Sequence, residues 1–208
     1  NMAGLKKIGV IHRGFSTYNK VKYRNMPQWQ LPIEIKRRFK DILMICDPSH
    51  ISGKREYIRE VSQQAMDLGF DGLIVESHIC PEIALSDAAQ QVTPAALTEI
   101  ISSLIIRDPD SENMNYRENI DELRARIDEL DDELIEILGR RMKVSEEIGH
   151  YKKQNNIAIL QTGRWDKILE KVFRKGEEKG LNNDFMEKIF KAIHQASIDK
   201  QTDIMNAE

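Results

Sequence analysis

Two kinds of hydrophobic spacing divide the chain. Up to residue 107 the apolar residues come in short unbroken runs that stop at polar clusters. Ile8-Gly9-Val10-Ile11 precedes His12-Arg13-Gly14, Ile42-Leu43-Met44-Ile45 precedes Asp47-Pro48-Ser49-His50, and Leu73-Ile74-Val75 precedes Glu76-Ser77-His78. Runs of this length without alternation read as strands buried on both faces, the pattern of a parallel sheet. Between them lie helix-spaced stretches: 54–68 closed by Gly69, and 94–106 with Thr93 as N-cap and Pro94 at the first helical position. Repeated β then α sets the polar clusters at the carboxyl ends of the strands, where such sheets carry ligand sites.

Beyond a short polar stretch, Asp108-Pro109-Asp110-Ser111-Glu112-Asn113, the period changes to that of helices. The aliphatic positions Ile120, Leu123, Ile127, Leu130, Leu134, Ile137, Val144 and Ile148 advance by steps of three and four, with Tyr151 continuing the stripe. This predicts a first helix over 117–153, a second over 164–175 and a third over 184–205, with Gly180, Asn182 and Asn183 marking the last break. The domains expected are 1–107, a linker at 108–116, and 117–208. The first helix would run roughly 55 Å, longer than a compact domain of this size needs, and so seeks a partner chain.

Three cations sit on or beside that stripe: Arg124, Arg141 and Lys152, with Arg141 where the next aliphatic residue is due. A cation on a buried face must be compensated, which implies an anionic guest. Arg124 and Arg141 are too far apart on one straight helix, about 25 Å, to hold the same small molecule, whereas Arg141 and Lys152 return to nearly the same face about 16 Å apart. A second, antiparallel copy would bring in the missing arginine. On the third helix Ser197 and Gln201 share a face with His194 and offer neutral donors and acceptors, and Arg164 opens the second helix. Taken singly, His194 reads as a packing or solvent-facing residue, and Trp29, Trp165 and Phe190 as core or interface anchors. No Ser/His/Asp set, metal cluster or phosphate loop accompanies them, so the chemistry would be positional and electrostatic.

Composition narrows the classes. The 208 residues are 40% hydrophobic and 31% charged with a formal net charge of −3, ordinary for a soluble globular chain and, with both signs interleaved, contrary to a nucleic-acid footprint. No apolar run reaches the roughly 20 residues of a membrane span and no targeting segment opens the chain, so a cytoplasmic location is expected. Cys46 and Cys80 lack metal-finger spacing and read as reduced thiols. Three βα units cannot close a barrel, which takes eight, and the chain opens on Asn1. Residues 1–107 are therefore expected to be part of something larger, with exposed sheet edges.

The segments Leu123-Arg124, Leu134-Ile135-Glu136-Ile137-Leu138, Arg140-Arg141, Ile148-Gly149, Lys152, Arg164, and Ser197 with Gln201 resemble the all-helical chorismate mutase family over 117–205. The resemblance implies that Arg141 and an Arg124 from the other subunit bind the two substrate carboxylates. Lys152 and Gln201 would hydrogen-bond the ether oxygen that gains charge as its bond breaks, while Arg164 and Ser197 orient the substrate. Gln161 stands where the family often has an acidic residue for the substrate hydroxyl, and its amide oxygen can still accept that bond. A pericyclic rearrangement of a dianion needs a compact conformer and stabilised charge, with no cofactor.

The strings His12-Arg13-Gly14, Asp47-Pro48-Ser49-His50, Val75-Glu76-Ser77-His78 and Leu85-Ser86-Asp87 resemble the last three βα units of the metal-dependent 3-deoxy-7-phosphoheptulonate (DAHP) synthases, which condense phosphoenolpyruvate with erythrose 4-phosphate. The resemblance implies that His50, Glu76 and Asp87 are three of four ligands to a divalent metal and that Arg13 contacts phosphoenolpyruvate. One nitrogen and two carboxylates suit Mn²⁺ or a similar ion. The family's fourth ligand, a cysteine, belongs to earlier strands, so neither Cys46 nor Cys80 takes that place. The expected fold class is α+β multidomain: an incomplete (β/α) barrel fragment followed by an all-α three-helix domain that forms an intertwined homodimer. The expected function is conversion of chorismate to prephenate in aromatic amino acid biosynthesis, fused to a truncated synthase inactive as a fragment. The alternative is a helical half that binds chorismate or prephenate and serves as a regulatory and dimerisation module of the synthase. Neither nucleic acid nor membrane is an expected partner.

Overall fold

In the computed structural model, which describes residues 4, 8–18, 22–160 and 162–207, the apolar runs of the first half pair as a parallel sheet. Its strands are β1 (Gly9–His12), β2 (Leu43–Cys46) and β3 (Gly72–Leu73), in that order, with Gly9 opposite Leu43, His12 opposite Cys46 and Ile45 opposite Gly72. The first two strands end one residue later than their apolar runs, because pairing continues into the polar clusters: Asp47 N donates to His12 O at 2.9 Å. β3 is shorter than its run. After Ile74 N donates to Cys46 O at 2.8 Å, the chain leaves β2 and Ser77 pairs instead with Val92.

Among the described residues four α-helices accompany the sheet: α1 (Gln30–Arg38), α2 (Pro48–Ser52), α3 (Ile58–Asp67) and α4 (Pro94–Ser103). The stretch read as one helix over 54–68 is a 3₁₀ turn, Arg55–Tyr57, that runs into α3. Thr93 caps α4, its hydroxyl accepting from Ala96 N at 3.2 Å, with Pro94 at the first position. α1 and α2 were not anticipated. α2 nevertheless carries its own start signal, because Asp47 accepts from His50 N at 3.0 Å and Pro48 follows. Met44 and Cys46 of β2, Ile51 of α2, Val61 and Ala65 of α3, and Phe70 form the core. Each large aliphatic or aromatic side chain buried there contributes about 1.5–3 kcal/mol. That core holds the loops after β2 and β3 in place.

The chain divides into two compact units, Asn1–Glu112 and Asn113–Glu208. The second consists of α5 (Met114–Gln154), α6 (Thr162–Glu177) and α7 (Asn183–Asn206). Asn113 caps α5 by accepting from Tyr116 N at 3.2 Å, and Asn182 caps α7 by accepting from Phe185 N at 2.7 Å. Gly180, at φ +73°, ends the turn between α6 and α7. α7 packs on both other helices and comes close to α5 at Gly149. A Cβ there would stand 2.8 Å from Ile204 Cδ1 and 3.3 Å from Gln201 Cγ. At 41 residues α5 spans about 60 Å. Along its N-terminal half Leu123, Ile127, Leu130 and Leu134 remain at least half exposed. No described helix is long and apolar enough to cross a membrane.

Candidate active site and candidate metal centre

The close approach of α5 and α7 at Gly149 opens, one to two turns away, into a cavity of about 290 Å³. Arg141, Ser145 and Lys152 line it from α5, Arg164 from α6, and His194, Ser197 and Gln201 from α7. Arg141 Nη1 donates to Ser197 Oγ at 2.5 Å, and Ser197 Oγ donates on to Ile193 O at 2.9 Å. Gln201 Nε2 donates to Ser145 Oγ at 3.1 Å, which leaves Gln201 Oε1 buried without a partner. Lys152 Nζ donates to Ile159 O at 2.5 Å.

Burial lowers the pKa of both the Arg141 guanidinium and the Lys152 ammonium. Among the described residues no carboxylate forms an ion pair with Arg141, Lys152 or Arg164. Three cations around one partly buried cavity, with no carboxylate paired to them among the described residues, suit it chemically to an anionic guest.

His194 packs, as its sequence reading expected, and it does so on the wall of the cavity. Its ring stacks on Trp165 at 4.2 Å and 15°, it lines the cavity, and its Nε2 is buried without a partner. Burial first, then the charges of Arg141 and Lys152, lower its pKa, so the imidazole is neutral near pH 7. Its setting depends on Trp165 of another helix, which helical spacing alone does not reveal.

Arg124 lies outside the cavity, 73% exposed and beside Asp121 at 3.4 Å. Gln161 falls outside the described residues. A second cavity, of about 560 Å³, shares Arg141 and Arg164. Its apolar lining includes Val172, Met186 and Phe190, and Lys167 and Lys171 line it as well.

In the α/β unit the helix α2 that follows β2 and the loop after β3 bring His50, Glu76 and Asp87 together, with one ligand atom of each within 4.8 Å of the others. His50 Nε2 stands 3.7 Å from Glu76 Oε1 and 4.0 Å from Asp87 Oδ2. His50 Nδ1 is 2.7 Å from Asp47 Oδ2, which leaves Nε2 for the cluster. Donors bound to one divalent ion stand roughly 3 Å apart, so this set, spread over as much as 4.8 Å, would draw in by about 1 to 2 Å to hold a metal. One imidazole nitrogen and two carboxylates fit such an ion. Arg13 Nε lies 3.2 Å from Asp47 Oδ2, at the edge of the cluster. Cys46 is buried in the core, where burial pushes its thiol pKa up to about 12, and it is not among the residues gathered at the cluster.

A metal-type donor set beyond parallel strands is followed along the chain by a cation-lined cavity between helices, one candidate site in each unit. The chain belongs to the DAHP synthetase I family, whose family model matches residues 1–107 of 208, and behind that region it carries a chorismate mutase type II domain, matched over residues 123–202. It is 33% identical over 102 residues to the phospho-2-dehydro-3-deoxyheptonate aldolase of Thermotoga maritima, a match covering 49% of this chain and 30% of that protein. It is 26% identical over 80 residues to the 4-amino-4-deoxychorismate mutase of Streptomyces venezuelae, covering 38% of this chain and 78% of that protein. Among solved structures, a truncated 3-deoxy-D-arabino-heptulosonate 7-phosphate synthase from Thermotoga maritima is 33% identical with a TM-score of 0.44, covering 49% of this chain and 38% of that one.

Proposed function

We propose that the helical unit rearranges chorismate to prephenate. The observation that carries this reading is the pair Arg141 and Lys152 in one cavity with no carboxylate to neutralise them. Arg141, already fixed by Ser197, takes one substrate carboxylate, and Arg164 lies on the same wall. Lys152 has three N–H donors and gives one to Ile159 O, which leaves two for the ether oxygen as it gains negative charge. A half-turn of the Gln201 amide would free Nε2 for the same ether oxygen, provided the Ser145 hydroxyl, whose one proton now goes to Ser197 O at 3.3 Å, swings it to the amide oxygen instead. No group has to remove a proton. The cavity instead confines a dianion in its compact form and stabilises charge that develops on one atom.

The second carboxylate calls for one more cation, and we assign it to Arg124 of a second copy. Two features support a homodimer. The exposed aliphatic stripe of α5 has an apolar counterpart in the lining that includes Val172, Met186 and Phe190. Lys167 and Lys171 in that lining complement Asp121, Glu122, Asp128 and Glu129 on α5.

In the α/β unit, His50, Glu76 and Asp87 would hold a divalent cation such as Mn²⁺, which when bound supplies Lewis-acid polarisation of a substrate oxygen. Asp47 orients the His50 ring, and Arg13 stands ready for the anionic end of phosphoenolpyruvate. Three strands are paired here where a barrel takes eight, so DAHP synthase turnover by this chain alone is not expected. Together the two units belong to aromatic amino acid biosynthesis, a cytoplasmic task.

The test is prephenate formation from chorismate by the 208-residue chain. Turnover supports the mutase. Ligand binding without turnover would assign the helical unit to regulation of the synthase instead.

A further inference from the structure

Each member of the His50, Glu76, Asp87 cluster gives one atom to a single outer side chain and keeps another for the centre. His50 Nδ1 faces Asp47 Oδ2 at 2.7 Å, Glu76 Oε2 accepts from Gln90 Nε2 at 2.6 Å, and Asp87 Oδ1 accepts from Arg24 Nη1 at 2.8 Å. The atoms left over are His50 Nε2, Glu76 Oε1 and Asp87 Oδ2, and they are the ones that face one another. The outer partners of the two carboxylates are also joined. Gln90 Oε1 accepts from the same Arg24 Nη1 at 3.0 Å, so Glu76, Gln90, Arg24 and Asp87 form one hydrogen-bonded chain.

Gln90 is the buried link in that chain, 1% exposed with both ends of its amide used. Its backbone is tied to both carboxylate residues. Gln90 N donates to Asp87 O at 3.0 Å, and Val92 N, two residues on, donates to Glu76 O at 3.1 Å. The chemistry of the position is specific. A glutamate here could not donate to Glu76 and a lysine could not accept from Arg24, whereas a neutral amide does both.

Arg24 is held from the far side. Its backbone N donates to Ser52 O at 3.2 Å, and its side chain crosses Gly53, where a Cβ would lie 2.5 Å from Arg24 Cβ. Two carboxylates facing the same point repel and tend to splay unless outer donors pin them.

We propose that Gln90 is a positioning residue for divalent-metal binding: by bridging Glu76 to Arg24, and through it to Asp87, it presets both carboxylates on the common centre. This rests on the reading of His50, Glu76 and Asp87 as a metal site. Gln90 itself touches no metal. It acts by removing the rotations of Glu76 that an ion would otherwise have to arrest on arrival.

The experiment is a Mn²⁺ titration of the whole chain, followed by the electron paramagnetic resonance of the free ion, with the bound-ion spectrum recorded alongside. Gln90→Met, of similar volume but unable to form either bond, should weaken Mn²⁺ binding by about tenfold or more and broaden the bound-ion signal. Should the Met variant fail to fold by circular dichroism, Gln90→Asn carries the test, since it keeps a buried amide but is one methylene too short to span Glu76 and Arg24. A folded variant that binds Mn²⁺ as tightly as the parent, even with a lowered melting temperature, would overturn the proposal and leave Gln90 a purely structural role. A parent chain that binds no Mn²⁺ would overturn the metal-site reading and this inference together.

Discussion

Arg141 gives its Nη1 to the Ser197 hydroxyl and not to a carboxylate, so the fold carries the desolvation of this cation without a neutralising partner. Arg141→Ala should therefore change the melting temperature little, with stability within about 1 kcal/mol of the parent, while chorismate turnover falls by at least about 100-fold. Paired thermal melts and initial rates check this. His194 makes the second prediction at this scale. Unfolded, its imidazole takes up a proton near pH 6.5, but folded, its lowered pKa postpones protonation. Over that interval the unfolded state binds more protons, so stability is full above about pH 6.5 and declines as pH falls toward the folded value. His194→Phe keeps a ring on Trp165 and should flatten this acid slope in melts followed by helical circular dichroism. Arg141 stood out in the sequence because it takes a place where an aliphatic residue is due, and Lys152 because it lies beside the end of the same stripe. Gln90 and Arg24 were not, since they are far apart in sequence and the short 3₁₀ turn that carries Gln90 has no periodicity to read.

Asn182 and Thr93 made their helix starts legible. The Asp47 cap of α2 and the Asn113 cap of α5, which begins three residues before the expected 117, went unread because that Asp and Asn sit in stretches read as polar strand end and linker. α1 begins at Trp29 without a side-chain cap and has Pro32 within its first turn, so it gives no such signal. The third strand was overread because an apolar run does not reveal where its neighbour ends, and β2 pairs with only two of its residues. At Gly149 the packing of α5 on α7 positions the cavity, because the first atoms a larger side chain meets belong to Ile204 and Gln201. Gly149→Val should cost about 1–3 kcal/mol by overpacking. It should also lower mutase activity by pushing Gln201 away from Ser145, and a denaturant titration with steady-state kinetics on the same sample tests both effects.

At the scale of the whole molecule, the mutase reading requires two copies. Arg141 and Arg124 lie about 25 Å apart along α5, so a solitary chain offers its own cavity only part of the charge that a dianion needs. Specific activity should accordingly fall on dilution through the dissociation range. A flat dilution curve, with turnover present, would mean that one copy suffices. The helix that carries both arginines has a further consequence for the life of the chain. A solitary copy displays a ladder of leucines and isoleucines along the N-terminal half of α5, the kind of surface that chaperones hold and proteases sample. An unassembled copy therefore advertises itself for removal, and pairing, by covering that ladder, would at the same time protect the chain and complete its site.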